Sequence, residues 1–277
     1  MHIFAQEVER KYDSSVVGTI IPSEWVDAAV DAHLKLGFTA SGKAFAGLDV
    51  ADGGSDSNAL AGRKGPVLLF CDSWGSSDVD DTGESTRRVV DGLKGFDEPW
   101  DVQYDCIGVG SGVKSEVNRL TALPKNDKDR MPDHIDFTPW SAAADPLFKE
   151  KHIATLENGL PDRKSPKNGD VFFGMKDQGW TKLADRFRKT WRMIHEGVVY
   201  PFDELISLPS DLEHLDQIKK ELSQATMGLS AGSHKSRVNK KPKGTKSPNQ
   251  ADAIVMAFWP ATTAESHFGM ILNKRNR

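Results

Sequence analysis

The sequence predicts an α/β fold, a central mixed sheet in which three antiparallel strands are joined to parallel strands and flanked by helices. Three observations carry that expectation. Strand-like runs at 44–50, 58–63 and 66–73 follow one another with only short polar or glycine-containing turns between them, as consecutive antiparallel strands do. Helical patterns then separate the next strand-like runs, at 100–109 and 134–140, the alternation that produces parallel neighbours. Finally, Phe45, Leu48 and Val50 occupy both parities of the first run with small residues between them, so that strand is expected to be buried on both faces.

Residues 1–42 read as an N-terminal arm followed by a helix, and 43–277 as the main domain. Pro22, Ser23 and Glu24 open the helix, Trp25, Ala28, Ala29, Ala32 and Leu36 recur at helical spacing, and Gly37 stops it. The stretch Gly37 to Ala44 nearly spells the phosphate-binding loop GxxxxGK[ST]. Ala44 replaces the hydroxyl that magnesium needs, however, and the loop follows a helix and precedes a strand, the reverse of the required order. A nucleotide site there is rejected.

The hairpin 58–73 turns at Arg63-Lys64-Gly65. Asp81 to Lys94 reads as a helix with Asp81 and Glu84 at capping-box spacing and Val89, Val90 and Leu93 on its apolar face. The run from Trp100 ends in Gly-Val-Gly-Ser-Gly-Val, where Val113 stands in place of the last glycine of a dinucleotide fingerprint; a helix at 114–123 follows. His134 to Trp140 is expected to be the final strand, and 141–179, rich in Pro, Ser, Asn and Gly, to be loops. Pro132-Asp133 with Asp162-Arg163-Lys164 formally matches a PD…DxK nuclease pattern, but the second piece lies in loop-like sequence and is treated as chance. Trp180, Leu183, Ala184, Phe187, Trp191 and Ile194 share one helical face; Lys182, Arg186, Lys189 and Arg192 form a basic face expected to be available to phosphate. A further helix is expected at 212–224, and Ser247-Pro248 opens the last one.

The composition fits an ordinary globular protein with a sizeable core, 38% hydrophobic with a net charge of −4. No apolar run approaches the roughly 18 residues of a membrane span, and the charged N-terminal stretch lacks the apolar centre of a signal peptide, so a cytoplasmic protein is expected. Cys71 and Cys106 lack CxxC spacing and are read as reduced, buried thiols. The charge is unevenly spread: residues 1–150 carry 15 Lys and Arg against 26 Asp and Glu, and residues 151–277 carry 21 against 14. Acids suited to metal come early, and bases suited to phosphate come late.

Three acids stand out against this background. Asp49 ends an apolar strand and enters a turn with Asp52 and Asp56, and burying a strand does not call for an acid within it. Turn chemistry accounts for Asp52 and Asp56 but not for Asp49. Asp105 repeats the arrangement at the end of another apolar strand, with capping of the next helix as its bland alternative. Asp252 falls in the first turn of an otherwise apolar helix, where an acid also suits the helix dipole. Ahead of it lies a basic run, Lys235, Arg237, Lys240, Lys241, Lys243 and Lys246, expected to form a hairpin or loop that lays a nucleic-acid backbone over the acids; a solvated surface loop is the alternative.

The element order is that of the ribonuclease H-like plan, in which the first and fourth strands lie side by side and a late helix crosses their ends. Three clustered carboxylates need cations, and oxygen-only ligands suit Mg²⁺ or Mn²⁺, expected as a pair. Gly47-Leu-Asp-Val-Ala-Asp-Gly-Gly-Ser-Asp, Tyr104-Asp-Cys-Ile-Gly-Val-Gly-Ser-Gly-Val and Lys246-Ser-Pro-Asn-Gln-Ala-Asp-Ala, with lesser matches at Ile20 to Val26 and Leu205 to Pro209, resemble the C-terminal nuclease domain of tailed-phage terminase large subunits. The resemblance implies a two-metal endonuclease cutting double-stranded, concatemeric viral DNA during packaging in the cytoplasm of an infected bacterium. It implies metal-ligand roles for Asp49, Asp105 and Asp252, with Asp56 as a further candidate. An N-terminal ATPase domain, the terminase small subunit and the portal protein are the implied partners in the full-length protein. The family's ATPase is absent from this sequence, so packaging by this chain alone is not expected. Two other classes stay open: an actin-like or sugar-kinase ATPase of the same superfamily, in which the Gly-Gly-Ser turn would cradle phosphate, and a DNA-gripping module without catalysis.

Overall fold

The structure, a computed structural model, describes residues 18–51, 56–75, 78, 81–154 and 160–259; most of the N-terminal arm, Asp52 and the glycine turn beside it lie outside these residues. A two-residue strand, β1 (Gly18–Thr19), leads into helices α1 (Ser23–Ala29) and α2 (Ala32–Leu36). The sequence pattern predicts one helix here. It breaks because Asp31 adopts a left-handed backbone (φ 53°) while its N–H donates to Leu208 O at 2.8 Å and its carboxylate accepts from Ser210 N–H at 2.8 Å. Tertiary hydrogen bonds outcompete the helical repeat at that point.

The central sheet is β2 (Ala44–Asp49), β3 (Ser57–Lys64), β4 (Val67–Gly75), β5 (Trp100–Asp105) and β6 (Ile135–Trp140), in the spatial order β4-β3-β2-β5-β6. The first three strands are antiparallel, and β2–β5 and β5–β6 are parallel. Between β4 and β5 lies α3 (Thr82–Leu93), whose Asp81 cap accepts the Glu84 N–H at 2.8 Å, and between β5 and β6 lies α4 (Ser111–Ala122). These two helices cover one face of the sheet, packing Val89, Val90, Leu93, Val113 and Leu120 on Leu48, Leu60, Val102 and Tyr104.

β6 is not the last strand, contrary to the sequence expectation. After α5 (Asn168–Val171), α6 (Met175–His195) and α7 (Leu215–Gln224), strands β7 (Thr226–Leu229) and β8 (Ser236–Asn239) form a hairpin, and β1 completes a second small sheet in the order β1-β7-β8. Strands of two to four residues are too short to leave a reliable period in the sequence. The last element among the described residues is α8 (Asn249–Ala257), every residue of which is buried. α8 covers the other face of the sheet and α6 packs against α8, burying Trp180 and Phe187 fully, each contributing on the order of 2 kcal/mol through burial. Cys71 and Cys106 are both free thiols, Cys71 buried and Cys106 only half-buried. No helix among the described residues is long and apolar enough to cross a membrane.

The close approach of α8 to the sheet depends on one glycine. A Cβ on Gly47 of β2 would stand 2.0 Å from Ala253 O and 2.6 Å from Ala257 N, so no larger residue fits without moving the helix. Arg63, buried between the rings of Phe45 and Phe258, donates its Nε to Ala257 O at 2.6 Å and so holds the C-terminal end of α8.

Candidate metal centre

Strand register brings the first two acids together. Leu48 pairs with Tyr104 across the parallel β2–β5 ladder, so Asp49 and Asp105, the next residues, end adjacent strands about 5 Å apart and point to the same face. That face is the α8 face, because Asp49 lies two residues beyond Gly47 and side chains two apart share a side. The N-terminal turn of α8 brings Asp252 to the same place. Asp56, at the entrance to β3, is tied to that turn: its Oδ1 accepts from Asn249 Nδ2 at 2.7 Å. The site is thus assembled from two strand ends, one helix N-terminus and the approach to β3.

The electrostatics follow from this crowding. Burial, with Asp252, Asp105 and Asp56 as neighbours, pushes the Asp49 carboxyl well above the usual carboxylate range against the opposing pull of Lys240. Asp105 is also raised, by burial first and by Asp252, although the Ile107 N–H donates to it at 3.1 Å and Lys240 favours its ionised form. Asp252, 7% exposed, accepts from Trp180 Nε1 at 3.1 Å through Oδ1, and its Oδ2 receives the Lys240 ammonium. Burial disfavours the charge on Lys240, but Asp252, Asp49 and Asp105 outweigh it and hold the lysine above its ordinary value. Among the described residues, no three acidic, histidine or cysteine side chains are drawn together tightly enough to enclose a metal ion as they stand. Lys240 is the cation that answers the carboxylates. A group of oxygen donors with excess negative charge, answered by the Lys240 ammonium, is chemically suited to Mg²⁺ or Mn²⁺.

The basic run is divided by the fold. Lys240 turns inward to the acids, whereas Lys241, Lys243 and Lys246 are exposed on the loop between β8 and α8. Arg237, on β8, is exposed and stacks on the exposed ring of Phe173 at 5.0 Å, and the half-exposed Lys235 lines a polar hollow of about 360 Å³ with Lys149, Lys167 and Phe173. The hairpin itself is anchored by the buried Asp177, which accepts from Val238 N–H at 2.7 Å. The basic face expected on α6 is largely engaged within the protein. Arg186 is buried and donates to Asp203 O and Leu205 O, Lys189 pairs with Asp185 and Glu204, and Arg192 pairs with Glu196. Those acids lie in another segment or on the same helix, which a helical-face reading does not take into account.

Sequence reasoning did not identify Trp180 as a partner of Asp252. It appears there as one residue of an apolar stripe, and only the packing of α6 on α8 shows that its indole N–H meets a carboxylate.

No protein-family model and no curated protein matches the chain. Among solved structures it is similar to the nuclease domain of the large terminase subunit gp2 of bacterial virus Sf6, at 26% identity and a TM-score of 0.70, covering 86% of this chain and 97% of that one. It is equally similar to a lysine-to-alanine mutant of that domain with manganese and β-thujaplicinol (26% identity, TM-score 0.69, 86% and 97% covered) and to one with calcium (25%, 0.70, 86% and 98%). In fold, and along most of its length, this chain therefore resembles the nuclease domain of a tailed-phage terminase large subunit.

Proposed function

We propose that the protein is a metal-dependent endonuclease that cleaves double-stranded DNA during viral genome packaging, with Asp49, Asp105 and Asp252 as its metal-binding carboxylates and Asp56 as a weaker fourth. The observation that carries this reading is the convergence of Asp49 and Asp105 on one face of adjacent strand ends with Asp252 beside them, answered by Lys240. Bound Mg²⁺ or Mn²⁺, as a pair, would activate water and stabilise the leaving oxygen of a phosphodiester. The protein's own contribution is positioning. The sheet fixes two carboxylates, α8 and Trp180 fix the third, and Lys240 supplies positive charge beside the place where a phosphate would lie. Arg237, Lys241, Lys243 and Lys246, exposed on β8 and the loop after it, with the half-exposed Lys235 just before β8, are suited to backbone contacts that carry no sequence preference.

Residues 43–277 form the nuclease unit in this reading, and 1–42 lead into it from the family's ATPase domain. The terminase small subunit and portal protein are the partners of the full-length protein, and the cytoplasm of the infected bacterium is where it works. The similarity of the solved nuclease domains, two of them with manganese or calcium, supports this reading over an ATPase or a silent DNA-gripping module. The test is digestion of supercoiled plasmid with Mg²⁺ or Mn²⁺ by wild type and by Asp49→Ala, Asp105→Ala and Asp252→Ala. Each variant is expected to lose cleavage by orders of magnitude while keeping a native circular-dichroism spectrum. Folded variants that cut at the wild-type rate would refute the assignment.

A further inference from the structure

One face of α7 reaches both the third carboxylate and the basic loop. Gln217, Glu221 and Gln224 lie at i, i+4 and i+7 along it. Glu221 is buried, 6% exposed, and its Oε2 accepts the Ala251 N–H at 3.1 Å, immediately before Asp252, while Gln217 Nε2 donates to its other oxygen at 2.9 Å. α8 needs this acceptor: its N-cap is Pro248, which offers no side-chain cap, so the carboxylate from α7 satisfies a donor that the helix start leaves open. One turn further along α7, Gln224 Nε2 donates to Lys240 O at 2.8 Å and to Lys246 O at 2.9 Å. These two carbonyls are the two ends of the basic loop, so a single side-chain amide closes its base.

We propose that Glu221 and Gln224 are positioning residues of the nuclease site, Glu221 setting the helix turn that presents Asp252 and Gln224 holding the loop that presents Lys240 and the exposed lysines. This inference rests on the nuclease reading above. A carboxylate placed next to Asp252 adds to the repulsion there, and burial together with Asp252 raises Glu221 itself. A neutral cap would avoid that repulsion, and the charge instead deepens the negative potential that a divalent cation meets. Because both contacts come from one ten-residue helix, the acid and the loop keep a fixed relation to each other.

The experiment compares wild type with Gln224→Ala, Glu221→Ala, Glu221→Gln and Gln217→Ala, the last releasing Glu221 without emptying a buried site should Glu221→Ala fail to fold. In metal-free protein, Gln224→Ala is expected to speed tryptic cleavage after Lys240 and Lys243 by roughly tenfold, the order of magnitude of the lost pair of hydrogen bonds. In plasmid cleavage it should raise KM for DNA. Glu221→Ala and Gln217→Ala should instead lower kcat and raise the Mn²⁺ concentration for half-maximal cutting, with DNA affinity unchanged, and Glu221→Gln should recover most of kcat because its amide oxygen still accepts from Ala251. An active wild type whose Gln224→Ala variant matches it in proteolysis and KM, or whose folded Glu221→Ala and Gln217→Ala variants match it in Mn²⁺ response, overturns this inference alone. A wild type that cuts no DNA with either ion overturns the nuclease reading and this inference with it.

Discussion

Gly47→Ala is the smallest change that moves the site without touching any of its polar groups. The added Cβ would stand 2.0 Å from Ala253 O, 2.6 Å from Ala257 N and 2.7 Å from Met256 Cβ, whereas ordinary contact begins at 3.4 Å. Two of these atoms are helix backbone, so no side-chain rotation relieves the overlap, and α8 must retreat by about 1.4 Å, the difference between 3.4 and 2.0 Å. Overpacking of this kind costs about 1–3 kcal/mol, a fall in melting temperature of roughly 2–4 °C per kcal/mol for a domain of this size. Asp252 travels with α8 while Asp49 and Asp105 stay on the sheet, and a misplacement near 1 Å costs on the order of 100-fold in rate. Thermal unfolding and Mn²⁺-dependent plasmid cleavage, measured on the same preparation, check both figures. A folded Gly47→Ala protein that cuts at the wild-type rate would show that the distance between α8 and β2 does not set catalysis.

Other perturbations give separable outcomes. Asp49→Asn should stabilise the metal-free protein at neutral pH: the raised folded-state carboxyl binds more protons than the unfolded one, so ionised Asp49 costs stability that returns as pH falls, and urea melts at pH 7 and pH 4 should show the gain only at the higher pH. Glu116, bridged by Arg87 and Arg119 and lowered to about 2 chiefly by the Arg119 hydrogen bond, acts in the opposite sense. Its contribution is present above the ordinary carboxylate pKa and fades as pH falls toward 2, so Glu116→Gln should cost about 1 kcal/mol at pH 7 and progressively less in acid. Neutralising Lys241, Lys243 and Lys246 together should weaken DNA binding and reduce the salt slope by up to about three, without changing Mn²⁺ affinity; an unchanged slope would remove this loop from the DNA interface.

Much of this architecture is legible in the sequence because it rests on local chemistry. The strand-end acids, the Asp81 cap and the late apolar helix each leave a short-range signature, and the parallel pairing of β2 with β5 follows from strand and helix order. What escapes is set by contacts distant in sequence. Gln224 and Glu221 look like ordinary polar positions of a surface helix until α7 is placed against the loop and α8. Lys240 reads as one base among six, yet it alone turns inward, because the end of β8 delivers it beside Asp252. Arg186 reads as part of an exposed basic face, although the carbonyls of Asp203 and Leu205 take up its guanidinium.

The carboxylates at the ends of β2 and β5 and in the first turn of α8 are proposed to act together through bound divalent cations. The most direct test of that role is plasmid cleavage followed through one cycle of metal removal and return. No cutting is expected in excess chelator, recovery when Mn²⁺ or Mg²⁺ is added back to wild type, and no recovery at any metal concentration for Asp49→Ala. Cleavage that persists in chelator, or that returns in Asp49→Ala as fully as in wild type, would contradict it.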